Sequence, residues 1–171
     1  MQLLQYARGL GLAAAVVAAV AMAGCAKDAA NTNGPGAFGA GYGAGGAAVP
    51  GSAQDFAQNV GDRVFFTTDQ TDLSTTAQAT LDKQAVWLAQ YPRYSFTIEG
   101  HADERGTREY NFALGARRAQ STKDYLVAKG ISASRIKTVS YGKERPVAVC
   151  NDISCWSQNR RAVTVLNGGQ S

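Results

Sequence analysis

The chain has 171 residues, 45% of them hydrophobic, and a formal net charge of +4. Once a leader and a tether are set aside, that length leaves room for one core of ordinary size. Lys and Arg are spread along the chain, with no basic block and no basic stripe interleaved with aromatics, so the sequence offers no support for nucleic-acid binding.

The first element is an apolar run from Leu10 to Ala23, preceded by Arg8. It is shorter than the roughly 20 apolar residues a spanning helix needs and matches the apolar core of a secretory signal. The run ends in Met22-Ala23-Gly24-Cys25. This tetrapeptide resembles the lipobox of bacterial lipoproteins, whose commonest form carries Leu where Met22 stands. The resemblance implies cleavage after Gly24 and lipidation of Cys25; the alternative is an ordinary leader followed by a chance cysteine. Acyl chains contributing about 0.8 kcal/mol per buried CH₂ would hold such a chain in a membrane. The residue after the cysteine is Ala26, not the Asp that retains enterobacterial lipoproteins at the inner membrane, which points to the outer membrane. From Asn31 to Gly51 the chain is mostly Gly and Ala with Pro35 and Pro50. Such a segment buries too little apolar surface to offset its ordering entropy. It reads as a flexible tether with a reach of roughly 25–30 Å. The expected division is residues 1–24 as signal peptide, 25–52 as lipidated Cys25 plus linker, and 53–171 as one periplasmic domain.

Val64-Phe65-Phe66 reads as a first strand, and Thr67 to Asp72 as a polar loop. Ser74 is a suitable N-cap for a helix to Gln90, with Leu81, Ala85 and Leu88 at helical spacing. Tyr91-Pro92 ends it. Ser95–Glu99 alternates as a strand does, and Gly100 to Gly106 reads as a loop. Thr107 caps a second helix to Lys129, closed by Gly130. Ile136–Tyr141 is a third strand. A long loop then carries Cys150, Cys155 and Trp156, and Arg161–Leu166 is the last strand. The order β-α-β-α-β-β predicts an α+β fold, a two-layer sandwich with two helices on one face of a small mixed sheet. In an oxidising compartment Cys150 and Cys155 are expected to pair, with two free thiols as the alternative. Their spacing suits zinc poorly when the single histidine, His101, lies far away in sequence. No cofactor is expected.

The densest chemistry is Gly100-His101-Ala102-Asp103-Glu104-Arg105-Gly106-Thr107, between a strand and a helix. It is followed by the Asn111-x-x-Leu114-x-x-x-Arg118-Ala119 pattern, Ser140-Tyr141-Gly142-Lys143-Glu144-Arg145-Pro146, and Asn159-Arg160-Arg161-Ala162-Val163. In this order the four motifs resemble the OmpA-like peptidoglycan-binding domain, most closely its lipid-anchored, peptidoglycan-associated members, over roughly residues 60–166. The resemblance implies a ligand: the meso-diaminopimelate residue of the peptidoglycan stem peptide, whose D-centre bears an ammonium and a carboxylate on one carbon. It implies that Asp103 accepts from the ammonium. Arg118 would offer the carboxylate a planar two-pronged donor that lysine cannot supply. Asn111, Leu114 and Arg118 stand at i, i+3 and i+7 on one helix face, so Leu114 could form an apolar wall. A structural salt bridge between Asp103 and Arg118 is the plainer alternative. Family members commonly carry Asp where this chain has Thr67, which leaves Thr68 and Asp69 as that loop's candidate contacts, or as turn residues only. Asn159 and Arg160 either line the same cleft or hold the last strand. The resemblance further implies TolB, and also TolA, as protein partners, with a tethering role between outer membrane and cell wall in envelope integrity and division.

An enzyme reading starts from the cluster Glu99, His101, Asp103 and Glu104. Paired carboxylates can serve glycan hydrolysis, and His with carboxylates can hold a metal. Strand alternation places Glu99 opposite Ile98, however. A zinc site needs more than one His or Cys ligand, and no nucleophile motif occurs in the sequence. A binding module is the expectation, not an enzyme.

Overall fold

A computed structural model of the chain describes residues 48–168. The expected signal peptide, Cys25 and the linker up to residue 47 lie outside the described residues. The described residues fall within one compact unit. Its elements are a short helix α1 (Ala53–Asp55) continued by a π-helical turn (Phe56–Gly61), β1 (Arg63–Phe65), α2 (Thr75–Gln90), β2 (Ser95–His101), α3 (Arg108–Ala128), a 3₁₀ turn (Ala133–Arg135), β3 (Ile136–Gly142), α4 (Ile153–Asn159) and β4 (Arg161–Asn167).

The sheet order is β1-β4-β2-β3. β2 and β3 run parallel from Phe96↔Ile136, a pairing that needs a crossover, and α3 supplies it. β4 is antiparallel to both β1 and β2. Alternation along β2 sends Phe96 and Ile98 into the core, where neither is exposed. α2 meets them with Leu81, Ala85 and Leu88, and α3 with Ala119 and Leu126. Both helices begin where the sequence places their caps. Ser74 Oγ accepts from the Ala77 N–H at 3.1 Å, and Thr107 Oγ1 from the Tyr110 N–H at 3.2 Å. Each such cap is worth about 1 kcal/mol. Gly130 closes α3 in the left-handed region, at φ +94°. The predicted α+β architecture is the observed one.

Three local features differ from the sequence reading. β2 continues through Gly100 to His101, because α3 covers this end of the strand at very short range. A Cβ on Gly100 would overlap the Gly115 carbonyl, and one on Gly115 would lie 2.5 Å from Ser140 Oγ. Gly100 therefore marks a strand–helix contact, not the start of a loop. Second, Gly51 and Ser52, assigned above to the linker, are fixed to the domain. The Gly51 carbonyl accepts from Tyr94 Oη at 2.8 Å, and Asp55 Oδ2 accepts from the Gly51 N–H at 2.9 Å and from Trp87 Nε1 at 2.8 Å. Phe56 then stacks against Trp87 at 4.9 Å. Third, the expected long loop contains α4. Asp152 caps it by accepting from the Ser154 N–H at 2.7 Å. With seven residues and few apolar ones, this helix has no periodicity to announce it. Among the described residues no helix is long and apolar enough to cross a membrane.

Candidate functional site

The loop from Ala102 to Thr107 leaves the C-terminal end of β2 and enters α3. It is tied down on both sides. The Ala102 N–H donates to the Gly142 carbonyl at 2.8 Å, and Asn111 Nδ2 donates to the Arg105 carbonyl at 2.6 Å. Lys143 Nζ donates to the carbonyls of Gly106 and Glu104, at 2.7 and 3.2 Å. These contacts explain why the Gly-His-Ala-Asp-Glu-Arg-Gly motif is polar yet ordered: distant side chains take up its backbone groups.

Asp103 is only 7% exposed. Its Oδ1 accepts from the Arg105 N–H and Nε, each at 3.2 Å, and its Oδ2 from Arg105 Nη2 at 2.7 Å and Arg160 Nη1 at 3.2 Å. Burial pushes the carboxyl pKa up. The hydrogen bonds from Arg105 and Arg160 outweigh it and hold the group below its ordinary value. The site therefore keeps a carboxylate at neutral pH.

Arg118 lies on the inner face of α3 with no exposed surface. It does not pair with Asp103. Its Nε donates to the Gln70 carbonyl at 3.0 Å, Nη1 to His101 at 2.8 Å and Nη2 to Thr67 at 3.1 Å. The guanidinium thus clasps the loop between β1 and α2 to the end of β2. Burial, then the nearby Arg160, push its pKa down to about 10, against the pull of Asp103 and Asp69. It stays charged at neutral pH.

Thr68 and Asp69 belong to the loop that Arg118 clasps. Arg105 Nη2 reaches Thr68 Oγ1 at 3.4 Å, and Tyr110 Oη donates to Asp69 Oδ1 at 3.3 Å. Asp69 takes φ +54° in this turn, a value that Asp tolerates better than most residues. Asp103, Arg118, Thr68 and Asp69 are thereby linked at one end of the sheet through Arg105 and the loop backbone. Leu114 is buried on the same face of α3 as Asn111 and Arg118. Asn159 holds the preceding segment, accepting from the Val147 and Ala148 N–H groups. Arg160 joins the end of β1 to the same loop, since its Nε donates to the Phe66 carbonyl while Nη1 pairs with Asp103.

The sequence reading passed over Arg105, the nearest partner of Asp103. Its position two residues on in the same loop was an available signal. Trp156 reaches the same loop: the Arg105 guanidinium lies 4.2 Å from its ring centroid, and its Nε1 donates to Glu104 Oε1. α4 is linked to the preceding loop by the Cys150–Cys155 disulfide, with a Cα–Cα distance of 5.7 Å. A cleft of about 660 Å³ adjoins the site, lined by Phe66, Thr67, Gln70, Leu73, Ser157 and Gln158 among others. Neither Asp103 nor Arg118 opens into it. Among the described residues no three His, Cys, Asp or Glu side chains converge as a metal site would require.

Residues 65–160 match the OmpA family. The chain is 66% identical over 157 residues to the peptidoglycan-associated lipoprotein of Rhizobium meliloti (strain 1021), covering 92% of this chain and 88% of that one. It is 44% identical to the peptidoglycan-associated lipoprotein of Pseudomonas aeruginosa, covering 94% and 97% of the two chains. The crystal structure of the peptidoglycan-associated lipoprotein from Burkholderia pseudomallei superposes with a TM-score of 0.60 at 40% identity, over 62% of this chain and 90% of that one. The C-terminal domain of Helicobacter pylori MotB shares the fold at 18% identity, with a TM-score of 0.59. With the fold, the four motifs and near full-length relatives in agreement, the chain belongs to the peptidoglycan-associated lipoproteins of the OmpA family.

Proposed function

We infer that this protein is an outer-membrane lipoprotein that grips the cell wall. Lipid on Cys25 anchors it, the Gly/Ala segment spans the gap, and the domain binds the diaminopimelate residue of peptidoglycan without covalent chemistry. The observation that carries this reading is a carboxylate kept ionised, Asp103, at a loop whose neighbours are the guanidiniums of Arg105, Arg118 and Arg160. One anionic acceptor within a cationic surround suits a ligand centre bearing both an ammonium and a carboxylate. Asp103 would take the ammonium. Arg118 would meet the carboxylate once the Thr67–Gln70 segment shifts to uncover it, with Thr68 and Asp69 at the rim and Leu114 behind. Many copies would fasten membrane to wall by avidity, even with micromolar single contacts. By family resemblance the protein partners are TolB and TolA, and the setting is envelope integrity and cell division.

The reading is tested by co-sedimentation with purified sacculi that contain diaminopimelate. The parent pellets. Asp103→Asn keeps the shape of the side chain and loses its charge, and it binds at least about 30-fold more weakly, on the scale of a lost charge-assisted pair. Equal pelleting by a folded Asp103→Asn variant would remove Asp103 from the site.

A further inference from the structure

The acceptor assigned to the ligand's ammonium is already occupied. Arg105 folds back on Asp103 as a two-pronged fork, with Nη2 at 2.7 Å and Nε at 3.2 Å from the two carboxylate oxygens. A guanidinium here takes the place an incoming ammonium would need.

The two arginines on Asp103 are not equivalent. The Arg160 side chain is 7% exposed and fixed at its other end by the Phe66 carbonyl. The Arg105 side chain is 41% exposed, and its remaining polar contact is a 3.4 Å approach to Thr68. An ion pair with one side in water is cheap to break, whereas a buried one is not. Arg105 is therefore the partner that can leave. It also has somewhere to stay, because its guanidinium rests on the face of Trp156, which Glu104 holds in turn. A planar cation can slide across an aromatic face while keeping the contact.

We propose that Arg105 is an internal competitor for the ligand site: it latches Asp103 closed in the resting protein, and ligand binds by exchanging its ammonium for the Arg105 fork while Trp156 retains the displaced side chain. The inference rests on the reading of Asp103 given above. Apparent affinity then equals the intrinsic affinity scaled by the fraction of molecules whose latch is open.

Calorimetric titration of the full chain in detergent with a diaminopimelate-containing stem tripeptide tests this, using the parent, Arg105→Ala, Arg105→Lys and Asp103→Asn. Thermal melts confirm that each variant is folded. With the latch removed, Arg105→Ala binds roughly tenfold tighter, the gain expected if about a tenth of the parent molecules are open. Arg105→Lys keeps the charge but loses the fork, and falls between parent and alanine. If Arg105→Ala binds as the parent does, or more weakly, while Asp103→Asn loses binding, the latch is overturned and the ammonium site stands. If Asp103→Asn binds as the parent does, the site reading fails and takes the latch with it.

Discussion

Replacing Arg118 with alanine lowers the stability of the folded domain by about 3–5 kcal/mol, the range for stripping a partner from a buried charged network. The guanidinium is fully buried and serves three backbone carbonyls, those of Thr67, Gln70 and His101. Among the described residues no other side chain donates to these carbonyls. Alanine takes a donor from carbonyls of two separate segments, leaving Thr67 only the Gln70 N–H at 3.3 Å, and opens a cavity beneath Phe66, whose ring lies 5.1 Å from the guanidinium. Arg118→Lys keeps the charge, but one ammonium cannot reproduce the planar fork, so it recovers only part of the loss. Urea melts of parent and variants read this directly, and a loss under about 1 kcal/mol would mean that the clasp is not structural. One consequence concerns binding experiments: an Arg118→Ala variant that fails to bind reports on the fold as much as on the ligand. Asp103→Asn is the cleaner probe.

The second large effect is a loss of stability in mild acid, centred on His101. The ring is 2% exposed, and neither nitrogen has a hydrogen-bond partner among the described residues. Glu99 Oε2 is the nearest anion, 3.7 Å from Nε2, and the Tyr141 ring lies 5.6 Å away. Burial, then the charges of Arg161, Arg145 and Arg63, push the imidazole pKa down from 6.5 to about 4. The unfolded chain thus binds a proton that the folded one refuses between those two values. The contribution is fully present above pH 6.5 and is lost as pH falls through about 4. Between pH 7.5 and 4.5 this one group removes about 2.5 kcal/mol. Denaturant melts at the two pH values show that slope in the parent and a clearly shallower one in His101→Phe. Equal slopes would mean that the fold does not hold the His101 pKa below its ordinary value.

The fold was readable because its signals are local. Ser74 and Thr107 are hydroxyl caps three residues before the N–H groups they bind, and Phe96 and Ile98 alternate as half-buried strands require. α4 was not readable, since a seven-residue polar helix depends on the Asp152 cap and its tertiary setting rather than on an apolar stripe. At the site, the sequence singled out Asp103 and Arg118 as chemically apt residues. Their partners were less legible: Arg160 was a candidate for the same cleft, with no sign that it would pair with Asp103. Arg160 stands 57 residues from Asp103, and the acceptors of Arg118 are backbone carbonyls, which leave no trace in residue identity. Arg105 is the exception, close in sequence and missed because the family pattern drew attention to the carboxylate and not to the cation beside it.

The most direct measurement compares two stem peptides that differ at one residue, titrated into the full chain in detergent. One carries meso-diaminopimelate; the other carries lysine, which has the same ammonium and lacks the neighbouring carboxylate. Recognition of a zwitterionic centre by an anionic acceptor among guanidiniums predicts that the lysine peptide binds at least about 30-fold more weakly, the loss of one charge-assisted contact. Equal affinity for the two peptides would contradict the account.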